Sequence, residues 1–254
     1  RHCHDSEVSR HNAAAATGAP LPDLSDDTRL LFDRAAEGHA VTGGRFDPYR
    51  LEAVVSAGYA GPIPLPGEAP AAVPTAATTG FDPGGIGKGL AADVVTQELL
   101  DAGASGALVS IGGDLRVRGT SPSGDAWRIE VEDPRTGAPL TTVELTDGAV
   151  ATSSRMKRRW TADDGAERHH LIDPATGEPS TSTVLAATVV AAEGWQAEVL
   201  AKVAVLDAFG HGALSSDAGL ELIEHLRAAA LVVTADLVLP TARWASFEVD
   251  EVPR

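Results

Sequence analysis

Apolar and polar positions divide the chain into helical and extended stretches. SDDTRLLFDRAAEG, residues 25–38, opens on a serine followed by two aspartates, a helix start, and its Leu30, Leu31 and Ala35 form an apolar stripe closed by a glycine. VTGGRFDPYRLEAVVSAGY makes a glycine turn and then predicts a short helix ending before Gly58. Residues 61–80 are rich in proline and alanine, which excludes a helix interior, so they read as a surface connection. From Lys88 to Gly103 the spacing predicts a helix with Leu90, Ala91, Val94, Val95, Leu99 and Leu100 on one face and Gly103 as its stop.

Extended patterns dominate the remainder. ALVSIGGDLRVRG predicts a strand, a glycine break and a second strand, and WRIEVEDP alternates with period two. PLTTVELTDGAVATSS predicts two strands joined by a hairpin turn at Asp147-Gly148. STVLAATVVAA predicts another strand and EGWQAEVLAKVAVLDAFG a helix; a helix near 215–229 and two strands, ALVVTADLVL and ARWASFEV, close the chain. Strands joined by tight turns and interrupted by a few long helices point to an α+β fold of mostly antiparallel sheets flanked by helices. The expectation is one domain over residues 1–254.

Composition narrows the function classes. The chain has 254 residues with 36 Asp and Glu against 20 Lys and Arg, a formal charge of −16, which argues against nucleic acid as a partner. Any anionic ligand then needs a locally positive pocket built from the few lysines and arginines beside glycines. No apolar run approaches the ~18 residues of a membrane span. One cysteine, Cys3, excludes an internal disulfide, and the adjacent His2, Cys3 and His4 converge poorly on one metal ion. Because the chain opens on Arg1, a missing initiator or signal segment is compatible with it. A cytoplasmic setting is the expectation for the chain as given, an extracytoplasmic one if a signal or lipoprotein segment precedes Arg1.

The densest candidate chemistry is FDPGGIGKGLAAD, residues 81–93, where glycines and Lys88 precede a helix in the manner of a phosphate site. A P-loop needs a glycine six residues before the lysine and Ser or Thr after it; Asp82 and Gly89 stand there instead. A dinucleotide fingerprint forced onto Gly87, Gly89 and Ala92 lacks the hydrophobic strand that must precede it. The plainer alternative is a tight turn into the helix, which leaves a cation at an already positive helix end unexplained. Further on, IGGDLRVRG sets two glycines in a strand pattern, GAVATSS ends on hydroxyls, and HHLIDPATG carries His169, His170 and Asp173 in an arrangement suited to general-base work.

Taken in order, Asp82, Gly84, Gly85, Lys88, Gly89 and Asp93, then GGD at 112–114, ATS at 151–153 and HLIDPATG at 170–177, resemble the FAD:protein FMN transferases, the ApbE-type flavin transferases. DSEVSRHN (5–12) and TGGRFDP (42–48) resemble two further segments of that family. The family's N-terminal strand would precede Arg1, and its connection at 61–80 looks shortened or altered here. The resemblance implies a T-fold-like flavin transferase architecture, FAD as substrate, Mg²⁺, transfer of FMN to a threonine or serine hydroxyl of an acceptor protein, and release of AMP. It implies that Asp82, Gly84, Gly85, Lys88, Gly113, Ser153 and Ile172 meet the cofactor, with Lys88 neutralising pyrophosphate. His170 would be the base and Asp173 would close that side of the pocket. Gly85 would also meet the metal. Tyr49, or alternatively Tyr59, is placed to stack on a flavin or adenine ring, or to be core.

One departure stands out. The family's metal site is completed by an Asp and, four residues on, a Thr; here Glu198 and Lys202 occupy that spacing. Three readings stay open: Lys202 stands in for the metal, the helix has lost the metal and the protein only binds flavin, or the two form a surface i,i+4 pair. The functional alternatives to transfer are FAD binding without catalysis and hydrolysis of FAD to FMN and AMP.

Overall fold

The computed structural model describes residues 5–58, 80–162, 165–207 and 218–249. In chain order the helices are α1 (Glu7–Thr17), α2 (Asp26–Val41), α3 (Leu51–Ser56), α4 (Gly87–Asp101), α5 (Gly194–Asp207) and α6 (Ala218–His225). The strands are β1 (Gly106–Ile111), β2 (Asp114–Gly119), β3 (Trp127–Glu132), β4 (Pro139–Leu145), β5 (Asp147–Ser154), β6 (Arg159–Thr161), β7 (Glu167–His169), β8 (Ala186–Ala191), β9 (Ala229–Val233), β10 (Val238–Pro240) and β11 (Glu248–Val249). They fall into two compact units, Arg1–Gly85 with Lys157–Ser180, and Ile86–Met156 with Thr181–Arg254. Every strand pairing is antiparallel, so the α+β expectation holds. No described helix is long and apolar enough to cross a membrane. The proline-rich connection, Tyr59 and the residues His2 to His4 lie outside the described residues, apart from Gly80.

The first unit is helical, with a two-stranded ribbon of β6 and β7. Ser6 and Ser25 cap α1 and α2, each hydroxyl accepting an amide from the first turn. The helix expected to stop at Gly38 runs on to Val41, because Gly38 is buried and its carbonyl accepts the Thr42 hydroxyl at 2.7 Å. An aromatic row runs from the half-buried His11 and Phe32 to buried Phe81 and exposed Tyr49: His11 on Phe32, Phe32 on Phe81, and Tyr49 edge-on to Phe81, with ring centroids 4.7, 4.3 and 5.8 Å apart.

The second unit is built on a six-stranded sheet in the order β1-β2-β5-β8-β9-β10, with a three-stranded sheet β11-β4-β3. Val117, Val150, Val190 and Leu231 from the large sheet pack with Ile129, Val131, Val143 and Leu145 from the small one around the fully buried Trp244. Helix α5 lies against β5 and β8, and α4 lies against β1, β2 and α5. Strand β8 is buried at every position, as a central strand between such layers requires.

Three sequence expectations change here. Asp147-Gly148 is no hairpin turn: β4 pairs with β3 and β11, whereas β5 pairs with β2 and β8, so the chain passes from one sheet to the other at this point. Helix α4 does not bury its bulky stripe, since Val95 and Leu99 are exposed while Gly89, Leu90, Ala92 and Thr96 are buried. The cause is a close helix crossing: a Cβ on Gly89 would collide with the backbone carbonyl of Gly194, and one on Gly194 with that of Gly89. Small residues let the two backbones touch, so bulk faces outward. The last segments also differ. ALVVTADLVL folds as the β9-β10 hairpin, and ARWASFEV is mainly a 3-10 turn, Trp244–Ser246, with only Glu248–Val249 extended. The 3-10 turn is what lets Trp244 point into the core.

Candidate functional site

In the first unit, FDPGG is held by elements distant in sequence. The Asn12 side chain brackets Phe81, donating to its carbonyl at 2.8 Å and accepting its amide at 2.9 Å, as a neighbouring strand would. The Asp82 amide donates to the Pro48 carbonyl at 2.7 Å, and the buried Asp82 carboxylate accepts the Gly84 amide at 2.9 Å. These contacts give DSEVSRHN and TGGRFDP a physical role: they fix the turn at Pro83–Gly85. Tyr49, named as a stacking ring, is 46% exposed, and only its edge meets Phe81.

The histidine segment folds locally. His169 is buried; its Nδ1 accepts the Leu171 amide at 3.3 Å, so the proton sits on Nε2, which donates to the Ser180 carbonyl at 3.0 Å. His169 thereby ties the two ends of the segment together, and the adjacent His170 is half-buried. Asp173 organises the next turn: its carboxylate accepts the Ala175 amide at 2.8 Å, and its amide and carbonyl engage the Glu178 carbonyl and the Gly177 amide. Gly177 has φ 73°, a value that favours glycine. Arg50, paired with Asp47 at 2.8 Å, donates to the Pro174 carbonyl at 2.7 Å, so TGGRFDP also anchors this loop. Ile172 is 2% exposed, packs with Val54 and Ala57, and lies opposite Pro179 in an isolated β-bridge.

In the second unit, Lys88 at the start of α4 sits between two buried carboxylates. It pairs with Asp114 of β2 and, at 3.0 Å, with Oε1 of Glu198 on α5. Oε2 of Glu198 accepts the Gly89 amide at 2.8 Å, and Oδ1 of Asp114 accepts the Thr152 amide at 3.3 Å. Gly112, beside Gly113 in the β1-β2 turn, has its Cα against the Lys88 stem: a Cβ there would lie 3.3 Å from Lys88 Cδ. Ser153 is half-buried on β5, opposite Ala187 of β8. Lys202 is half-buried on α5, one turn beyond Glu198. Glu198 is 4% exposed, and Val199, Leu200 and Val203 are all buried, so the surface-pair reading falls.

A second charged group supports the first. Asp93 on α4 accepts the Gly194 and Trp195 amides at 2.7 and 3.0 Å, capping α5 one turn before Glu198. Burial pushes its carboxyl up, against the opposing pull of those two amides and of Arg116. Arg116, itself buried, pairs with Asp93 at 3.2 Å and Asp147 at 2.7 Å and donates to the Gly148 carbonyl. The motifs around Asp114 and Asp93 do not by themselves reveal the roles of these two carboxylates. The signal available was their type: carboxylates inside otherwise apolar or glycine-rich segments.

A model of the ApbE family matches residues 1–232. The FAD:protein FMN transferase of Treponema pallidum is 31% identical over 201 residues, covering 75% of this chain and 52% of that protein. Its counterpart in Klebsiella pneumoniae is 35% identical over 117 residues, 43% of this chain and 33% of that protein. The matched part of this chain thus spans a third to a half of the length of these relatives. Among solved structures, the flavin transferase ApbE from Vibrio cholerae has a TM-score of 0.73 at 24% identity, covering 97% of this chain and 84% of that one. The apo flavinyl transferase ApbE of Pseudomonas stutzeri gives a TM-score of 0.71 at 25% identity, covering 98% and 83%. These likenesses establish the shared fold.

Proposed function

This chain belongs to the ApbE family, and on that premise we propose that it is an FAD:protein FMN transferase. A threonine or serine hydroxyl of an acceptor protein attacks the phosphorus of the FMN half of FAD. The bond to the AMP phosphate breaks, the hydroxyl proton passes to His170, and AMP leaves. Such a step needs positioning and charge stabilisation more than covalent chemistry from the protein. Within the second unit Lys88 neutralises pyrophosphate charge and Gly113 and Ser153 contact the cofactor; within the first, Asp82, Gly84 and Gly85 are assigned to the cofactor by the family resemblance alone.

The division of labour between the two histidines carries the reading. Buried His169 ties the Ser180 carbonyl to the Leu171 amide, which stiffens the loop that carries His170. A base must be held in place beside the hydroxyl it deprotonates. The test is to incubate the protein with FAD and a folded acceptor domain carrying a threonine, and to read intact mass. The expected product is an FMN-sized adduct on the acceptor with one AMP released per adduct. Bound FAD recovered unchanged would replace this reading with a flavin-binding protein; FMN and AMP free in solution would replace it with a hydrolase.

A further inference from the structure

The cluster around Lys88 has an uneven charge count. Two carboxylates, Asp114 and Glu198, with side chains only 3% and 5% exposed, face one ammonium. With Lys88 alone these two buried carboxylates are one charge short of balance, a setting that draws in a further cation. The donors present nevertheless do not fit a magnesium ion. Both oxygens of Glu198 already hold N–H donors, from Lys88 and from Gly89. Both oxygens of Asp114 do as well, from Lys88 and from the Thr152 amide. Among the described residues no group of three or more His, Cys, Asp or Glu could hold a metal. Magnesium demands octahedral oxygen coordination, and the residue one turn beyond Glu198 is an ammonium, Lys202, rather than an oxygen donor.

We propose that this cluster takes no divalent cation, that Lys202 supplies a built-in ammonium in its place, and that binding of a dinucleotide pyrophosphate by this chain is independent of divalent metal. The choice of FAD as the ligand rests on the transferase reading; the charge argument does not. Lys202, one turn beyond Glu198 on α5, is the cation that this proposal sets against those two carboxylates, and a chelator cannot remove it. Its helix is rigid here: Val199, Leu200, Ala201 and Val203 are all buried. An ammonium is also a point charge with rotatable donors, suited to phosphate oxygens that lack a fixed fork geometry.

Two binding measurements test this on the full chain. FAD and ADP are titrated by calorimetry in EDTA and in excess Mg²⁺, and Mn²⁺ is titrated by the paramagnetic resonance of the free ion. Both nucleotides should bind with affinities equal within about twofold in the two buffers, and Lys202→Gln should weaken both about tenfold. Lys202→Arg should retain metal independence. The parent should hold no stoichiometric Mn²⁺, whereas Glu198→Asp with Lys202→Thr should acquire one and make FAD binding sensitive to EDTA. Stoichiometric Mn²⁺ on the parent, or nucleotide binding lost in EDTA, overturns the inference. So does a Lys202→Gln protein with native melting temperature and unchanged affinity. FAD that binds in EDTA but is never transferred overturns the transferase reading alone; transfer that requires Mg²⁺ overturns the metal-free inference alone. No binding of either nucleotide in either buffer overturns both.

Discussion

The histidine loop of the first unit and the lysine cluster of the second are built in opposite ways. The loop closes mainly on itself: His169 reaches Leu171 two residues away and Ser180 eleven away, with Arg50 adding one distant contact at the Pro174 carbonyl. The cluster joins Lys88 to Asp114 across 26 residues and the Gly89 amide to Glu198 across 109. A local loop can hold a side chain with a few turn contacts. A nonlocal cluster needs a rigid frame, which the second unit provides as a helix crossing too tight for any side chain at Gly89 or Gly194. The first unit therefore spends hydrogen bonds on positioning, and the second spends packing.

Three experiments would break or sharpen that contrast. The largest effect is expected within the loop. His170→Ala should slow transfer roughly 10²–10⁴-fold with little change in melting temperature. His169→Ala should do the reverse, costing about 1–3 kcal/mol of stability by stranding a buried carbonyl and amide. Equal activity losses for the two at equal stability would dissolve the proposed division of labour. Initial transfer rates and urea midpoints decide between these outcomes.

Next comes the frame. Gly89→Ala and Gly194→Ala should each destabilise by about 1–3 kcal/mol through overpacking, and the double variant should cost less than the sum because both strain one contact. Additive losses in urea midpoint would place the strain elsewhere.

The smallest effects concern two carboxylates that hold helix starts in contrasting surroundings. Half-buried Glu7 accepts the Ser25 amide and hydroxyl, and hydrogen bonds from Thr28 and Ser25 push its carboxyl down to about 2. Its contribution to stability is present above pH 4.5, the ordinary value, and is lost as pH falls towards 2. Buried Asp93 is shifted the other way, so the folded protein keeps that proton more readily than the unfolded chain does. Its contribution therefore declines as pH rises from 3.8 through the folded value. Glu7→Gln should flatten the acid limb of a melting-temperature profile, and Asp93→Asn should remove the decline just above it. An unchanged profile for Asp93→Asn would show that the Arg116 pair outweighs burial.

Much of this was readable beforehand because it is local. A serine cap marks α2, alternation marks β3, glycines mark the β1-β2 turn, and HLIDPATG forms a turn from its own residues, whereas α1 was not read as a helix. What misled was each place where a nonlocal contact overrode a local rule. Asp147-Gly148 reads as a hairpin, but β5 has better partners in β2 and β8. Leu99 and Val95 read as a buried stripe, but the crossing selects small residues instead. Glu198 and Lys202 read equally well as a surface pair until Val199, Leu200 and Val203 are seen to be buried.

By itself, the sequence determined the α+β class, the start of α2, the family resemblance through its ordered motifs, and the departure at Lys202. These depend on residue type and on spacing along the chain. Only the tertiary structure decided that Gly89 serves a helix crossing and donates its amide to Glu198, and that Lys88 bridges Glu198 and Asp114. It alone assigned the His169 imidazole to the Leu171 amide and the Ser180 carbonyl. Which partner satisfies a buried charge depends on distances in space, and residues far apart in the chain leave no periodic trace of meeting.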